Sequence, residues 1–84
     1  MHLLFLEDAW DDYQYWLQTD KATLKKINHL IKECMRTPFE GIGKPESLKF
    51  DLSGTWSRRI NQEHRLVYKV EGNNLVILQC RYHY

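Results

Sequence analysis

Near residue 40 the spacing of apolar side chains changes from a helical period to a period of two, and that change constrains the fold most. Before it, Glu7 and Asp8 sit where a helix N-terminus favours anions. Trp10, Tyr13, Trp16 and Leu17 then recur at three- and four-residue spacing as one apolar stripe. Thr19–Asp20 interrupts it, and Asp20 is placed to cap the segment that follows. From Lys21 a second stripe runs through Leu24, Ile27, Ile31, Cys34 and Met35. Thr37–Pro38 stops it, because the residue before a proline is pushed out of helical angles. Two helices joined by so short a link form a hairpin.

After the loop TPFEGIGKPES at residues 37–47, the strands begin. Leu48, Phe50 and Leu52 alternate with polar residues up to the Ser53–Gly54 turn. Trp56, Arg58 and Ile60 form a second apolar-phase run, and Leu66, Tyr68 and Val70 a third beyond the polar turn Asn61–His64. Glu71–Asn74, with Gly72, makes a hairpin turn. The last strand is expected from Leu75 to about His83, and His2–Leu6 reads as a short buried strand at the start, with a helix left open by its length. The pattern β-α-α-β-β-β-β predicts an α+β fold, a two-helix hairpin packed on one face of an antiparallel sheet. At 84 residues it makes a single domain, 1–84.

No apolar run approaches the roughly 20 residues of a bilayer span, and MHLLFLEDAW lacks the basic start of a secretion signal. A cytoplasmic chain is the expectation. Cys34 and Cys80 lack metal-ligand spacing and fall in apolar segments, so they are expected as reduced thiols packed like small hydrophobes. Charge is divided along the chain. Residues 1–20 hold five acids and no Lys or Arg, a charge of −5, whereas residues 21–84 hold all twelve basic residues and six acids, +6. Such asymmetry suits a polyanionic partner for the later part, with a plainly solvated acidic helix face as the alternative.

Side chains alternate across a strand, so if the apolar phase faces the helices the other phase points away. That phase collects Lys49, Arg59, Arg65, Lys69, Arg81 and His83, against Asp51. Antiparallel sheets commonly wet one face, but an ordinary wet face mixes its charges. One sign indicates an anion site, and planar guanidiniums match phosphate oxygens in pairs. Glu46, at the end of the loop, is within reach of this face. One carboxylate, one imidazole and several guanidiniums suit RNA cleavage, in which the 2′-OH attacks the adjacent phosphorus and expels the 5′-oxygen. The reaction needs a base, an acid and positioned cations. The acids and histidines lack the spacing of a metal site.

The segments KPE, LSGTWSRRI, EHRLVY and RYHY, in this order, resemble the YoeB toxins of the RelE/ParE superfamily. The likeness runs the length of the chain, including WDDY in the first helix and the RTPFEGIGKPE loop. It implies a RelE-like fold and a bacterial, ribosome-dependent endoribonuclease that cuts mRNA in the ribosomal A site, on the small ribosomal particle, with no metal and no cofactor. It also implies a cognate YefM-type antitoxin as partner; the choice between monomer and homodimer stays open. Carried over residue by residue, Glu46 is the general base, His83 the general acid, and Arg65 the group holding the scissile phosphate. Lys49 and Arg59 assist with backbone charge, and Tyr84 contacts the substrate. Phe50 departs from the polar or small residue of several relatives. Arg58 falls on the opposite phase and reads as structural or as a ribosome contact, and His2, His29 and His64 as surface histidines. Two other functions stay open: a non-catalytic nucleic-acid or partner-binding module on the same basic face and, because relatives in the superfamily that the chain resembles include gyrase poisons, an inhibitor of another macromolecular enzyme.

Overall fold

The computed structural model describes residues 1–49 and 54–82. Phe50, Asp51, His83 and Tyr84 lie outside the described residues, as does most of the strand expected at Leu48–Leu52. Asp20 is where the two helices meet. Its N–H donates to the Trp16 carbonyl at 2.9 Å, closing α1 (Glu7–Thr19). Its carboxylate accepts from the Thr23 N–H at 3.1 Å and the Thr23 hydroxyl at 2.8 Å, opening α2 (Lys21–Arg36). Those two bonds hold the Asp20 carboxyl below its ordinary range. The cap forms as the sequence predicts.

Among the described residues five strands complete the fold: β1 (His2–Phe5), β2 (Glu46–Ser47), β3 (Trp56–Arg59), β4 (Arg65–Glu71) and β5 (Asn74–Gln79). Their order across the sheet is β1-β5-β4-β3-β2. The architecture is the expected α+β, with one refinement: the sheet is mixed. β1 runs parallel to β5, with Leu3 opposite Leu75 and Phe5 opposite Ile77, while the other pairs are antiparallel. A parallel neighbour needs a long crossover, and the helical hairpin supplies it. Gly72, at φ +61°, sits in the two-residue turn between β4 and β5.

Two boundaries differ from expectation. β2 is Glu46–Ser47, upstream of Leu48, although the Leu48 N–H still reaches the Thr55 carbonyl at 2.9 Å. β5 ends at Gln79 because α1 takes over the backbone of Cys80. Its N–H donates to the Asp12 carboxylate at 3.0 Å, and its carbonyl accepts from Trp16 Nε1 at 2.8 Å.

Ala9 and Trp16 from α1, and Leu24, Ile27, Leu30, Ile31 and Cys34 from α2, pack on Leu66, Tyr68, Leu75 and Ile77 of the sheet. Of the stripe predicted for α1, Trp10 and Leu17 stay exposed, at 50% and 41%; the buried arc centres instead on Ala9 and Trp16. Both thiols are free and buried, as expected of small core residues. Burial pushes Cys80 up to about 12 and raises Cys34, so both are inert as nucleophiles at neutral pH. Among the described residues no helix is long and apolar enough to cross a membrane.

Candidate active site

Register determines what shares the helix-free face. Glu46 pairs with Ser57, and Ser57 with Val67, so these three side chains point to one side. Arg59 pairs with Arg65 on that same side. Directly opposite residues hold their Cβ atoms about 4.5–5.5 Å apart, and like charges so placed destabilise a sheet unless an anion lies between them. Glu46 stands two strands over from Arg65 and two residues along, about 12 Å away between backbones, with its side chain exposed.

The face is less uniformly basic than its sequence phase predicts. Lys69 is half-buried and pairs with Glu71 at 3.0 Å, a second acid on that phase. Arg81 leaves the face altogether. Its guanidinium lies 3.4 Å from the centre of the Tyr15 ring on α1 and 4.5 Å from that of Tyr82, where cation–π attraction holds it. Ser57, Val67 and Val76 make the middle of the face buried rather than wet. Lys49 is exposed in the loop beyond β2. The cationic surface instead continues around the sheet edge, where Lys26, Lys44 and Arg59 line a recess of about 270 Å³ with Asn61 and Gln62.

Arg65 is held by the turn before it. The Asn61 side chain accepts from the Glu63 N–H at 2.9 Å and the His64 N–H at 2.8 Å, folding the turn on itself. Carbonyls gathered by that turn accept from Arg65 Nη1: Asn61 at 2.6 Å, His64 at 3.0 Å and Gln62 at 3.3 Å. One edge of the guanidinium is thereby fixed. The Arg65 N–H donates to the Tyr82 carbonyl at 3.0 Å, so the end of the described chain lies beside Arg65.

His64 overturns its reading as a surface histidine. It is 8% exposed, with its ring edge-on to Trp16 at 4.8 Å, and its Nδ1 accepts from the Tyr82 N–H at 2.7 Å. Hydrophobic periodicity carries no signal for a residue in a turn, so its burial was invisible in the pattern. His2 and His29 are exposed as expected.

Arg58 anchors the loop that delivers Glu46. It is fully buried on the helix side of β3. Nε donates to the Tyr68 hydroxyl at 3.1 Å, Nη1 to the Ile42 carbonyl at 3.0 Å, and Nη2 to the carbonyls of Glu40, at 2.8 Å, and Thr37. Tyr68 in turn donates to the Pro38 carbonyl at 2.6 Å, and burial pushes its pKa up to about 12, which keeps that proton in place. The loop's other tie is Gly43, at φ +80°, whose carbonyl accepts from the Arg59 N–H at 2.7 Å. A Cβ there would stand 2.9 Å from Leu30 Cδ2 and 3.1 Å from Arg58 Cβ. Among the described residues no group of three His, Cys, Asp or Glu side chains is placed to hold a metal ion.

Known proteins are similar to this chain in sequence and fold. The profile of the YoeB-like toxin of bacterial type II toxin-antitoxin systems matches residues 5–84. Toxin YoeB of Escherichia coli strain K12 is 63% identical over 84 residues, covering 100% of both chains. A YoeB/ParE toxin from Agrobacterium tumefaciens superposes with a TM-score of 0.98 at 52% identity, covering 100% of both chains. The heterotetrameric YoeB–YefM toxin–antitoxin complex from Staphylococcus aureus matches with a TM-score of 0.91 at 52% identity, covering 100% of this chain and 98% of that one.

Proposed function

This chain belongs to the YoeB-like toxins of bacterial type II toxin–antitoxin systems, and we propose that it acts there as an endoribonuclease on ribosome-bound mRNA. The observation that carries the reading is the Arg59–Arg65 pair, two arginines directly opposite each other in register on one side of the sheet. A phosphate between them removes their repulsion and gains paired hydrogen bonds. Glu46, on the same side, is the base that takes the proton from the ribose 2′-OH. The 2′-oxygen attacks phosphorus while Arg65, helped by Arg59 and Lys49, stabilises the growing negative charge. His83, assigned from the RYHY motif, protonates the departing 5′-oxygen, and Tyr84 contacts the substrate beside it. The products are a 2′,3′-cyclic phosphate and a free 5′-hydroxyl, so atoms and protons balance. No step in the scheme uses a metal or a cofactor.

Dependence on the ribosomal A site follows in this scheme where ribosomal contacts arrange substrate and catalytic groups that are loose in the free toxin. Orientation of that kind lowers barriers by several kcal/mol, about 7–11 at its upper limit. The partner that silences the toxin is a YefM-type antitoxin, by analogy with the Staphylococcus aureus complex. Its setting is the bacterial cytoplasm, where ribosomes are.

The test maps 5′ ends of mRNA on purified ribosomes. Wild type should cut ribosome-bound mRNA far faster than it cuts naked RNA. Glu46→Gln and His83→Gln should each lose about 10²–10⁴ in rate while still binding. Wild-type rates in both variants would exclude acid–base catalysis by these groups. Loss confined to affinity and its salt dependence would instead favour a non-catalytic RNA-binding module.

A further inference from the structure

Beside Arg65 the chain is held in a conformation that needs outside support. Among the described residues Tyr82 and Lys44 are the non-glycine residues at positive φ, with Tyr82 at +63°. Such a backbone persists only where its surroundings over-determine it. At Tyr82 two consecutive residues do so. His64 Nδ1 accepts the Tyr82 N–H at 2.7 Å, and the Arg65 N–H donates to the Tyr82 carbonyl at 3.0 Å. The residue that grips phosphate in the proposed reaction and its immediate neighbour therefore hold both sides of one left-handed residue.

His64 is itself held from several directions. Its N–H is capped by Asn61 and its ring sits edge-on to Trp16 of α1. Tyr82 lies 5.6 Å away on the other side, and Glu63 Oε1 is 3.6 Å from Nε2. To accept at Nδ1 the ring must carry its proton on Nε2, facing Glu63. Two residues upstream of Tyr82, Cys80 is clasped by Asp12 and Trp16. From Cys80 to Tyr82 the chain has left the sheet; apart from the Gln79 side chain, which donates to the Arg81 carbonyl at 3.3 Å, the bonds described for it come from α1 and from the His64–Arg65 corner. The residue that follows Tyr82 is His83.

We propose that His64 is a positioning residue for RNA cleavage: its Nδ1 holds the left-handed turn at Tyr82 and so sets the point from which the chain delivers its proton donor to the phosphate at Arg65. This rests on the reading of His83 as the acid. A misplacement of about 1 Å at such a site can cost about 100-fold in rate.

The test compares His64→Phe with His64→Asn. Phenylalanine keeps an aromatic ring against Trp16 but has no acceptor. Asparagine loses the ring but puts its Oδ1 where Nδ1 stood. Tyr82 amide exchange by NMR reports the hydrogen bond, and single-turnover cleavage on ribosome-bound mRNA reports the chemistry. His64→Phe should melt within a few degrees of wild type, exchange its Tyr82 amide at least about tenfold faster, and cut about 10- to 100-fold more slowly. Its half-saturating ribosome concentration should stay within about twofold, because substrate binding is not what His64 supports. His64→Asn should recover both Tyr82 protection and rate.

A His64→Phe chain that exchanges Tyr82 freely yet cuts at the wild-type rate overturns the proposal. So does one that cuts slowly with Tyr82 still protected. If the phenylalanine variant does not fold, the asparagine variant decides: a protected Tyr82 with a wild-type rate supports the role, and a protected Tyr82 with a slow rate overturns it. A wild-type chain that cuts nothing overturns the nuclease reading itself, and with it any catalytic part for His64.

Discussion

Arg59 and Arg65 put a conflict between stability and binding into a single cross-strand pair. Removing one of the like charges should strengthen the free fold, so Arg59→Gln is expected to gain about 0.2–1 kcal/mol in urea unfolding. The same change should weaken binding of a short single-stranded RNA and lower its salt slope by about 0.7, the share of one phosphate contact. Anisotropy titrations at several salt concentrations check this, and an unchanged slope would place Arg59 off the RNA path. That Arg59 and Arg65 share one side was legible in the sequence, because alternation alone assigns both to it; that they stand directly opposite was not, because it depends on strand register. The fates of Arg81 and His64 were not. Arg81 lies past the end of β5, where period two no longer applies, and stacks on Tyr15. His64 is buried by partners 48 residues upstream and 18 downstream, at Trp16 and Tyr82.

Each helix and loop owes its place to a few polar anchors as much as to apolar packing. Arg58 joins β3 to the 37–45 loop through three carbonyls and the Tyr68 hydroxyl. Arg58→Leu should therefore cost at least about 3 kcal/mol in chemical denaturation, since a buried acceptor left without a donor costs about 1–3 kcal/mol. That is a large part of the roughly 4–13 kcal/mol expected of so small a fold. Gly43→Ala should cost about 1–3 kcal/mol by forcing an L side chain into positive φ against Leu30 and Arg58. If either variant melts like wild type, the loop is not anchored as described. Both helices were legible from their stripes and from the Asp20 cap. Which stripe residues are buried was not, because the sheet covers a narrower arc of α1 than its apolar residues span, leaving Trp10 and Leu17 in solvent.

Across the whole molecule, α1 ties the beginning of the chain to its later end, through Asp12 and Trp16 on either side of Cys80. Burial, the largest influence on Asp12, raises its pKa above the ordinary 3.8, outweighing the Cys80 N–H and Arg81. Folding thus favours the protonated form. Its contribution to stability is fully present below the ordinary value and is lost as pH climbs through the raised one. Asp12→Asn keeps an acceptor for Cys80 without the charge. Its melting temperature should gain on wild type as pH rises through that window, and then run parallel. A gap that narrows with rising pH would contradict the assignment. The α+β order was legible because helix and strand periods differ so plainly. The parallel placement of β1 was not, since no local pattern records which distant strand a short apolar segment will join.

That placement has a consequence for when the molecule first exists. β1, the first of the five strands to be made, pairs with β5, the last of them, and β5 is also what joins β1 to β4. A nascent chain still lacking β5 can pair β2, β3 and β4, but β1 has no strand to join and α1 lacks the Cys80 backbone that it clasps. The complete sheet therefore waits until β5 has left the ribosome, and under the proposed activity a copy still short of that strand cannot turn on the message from which it is being read.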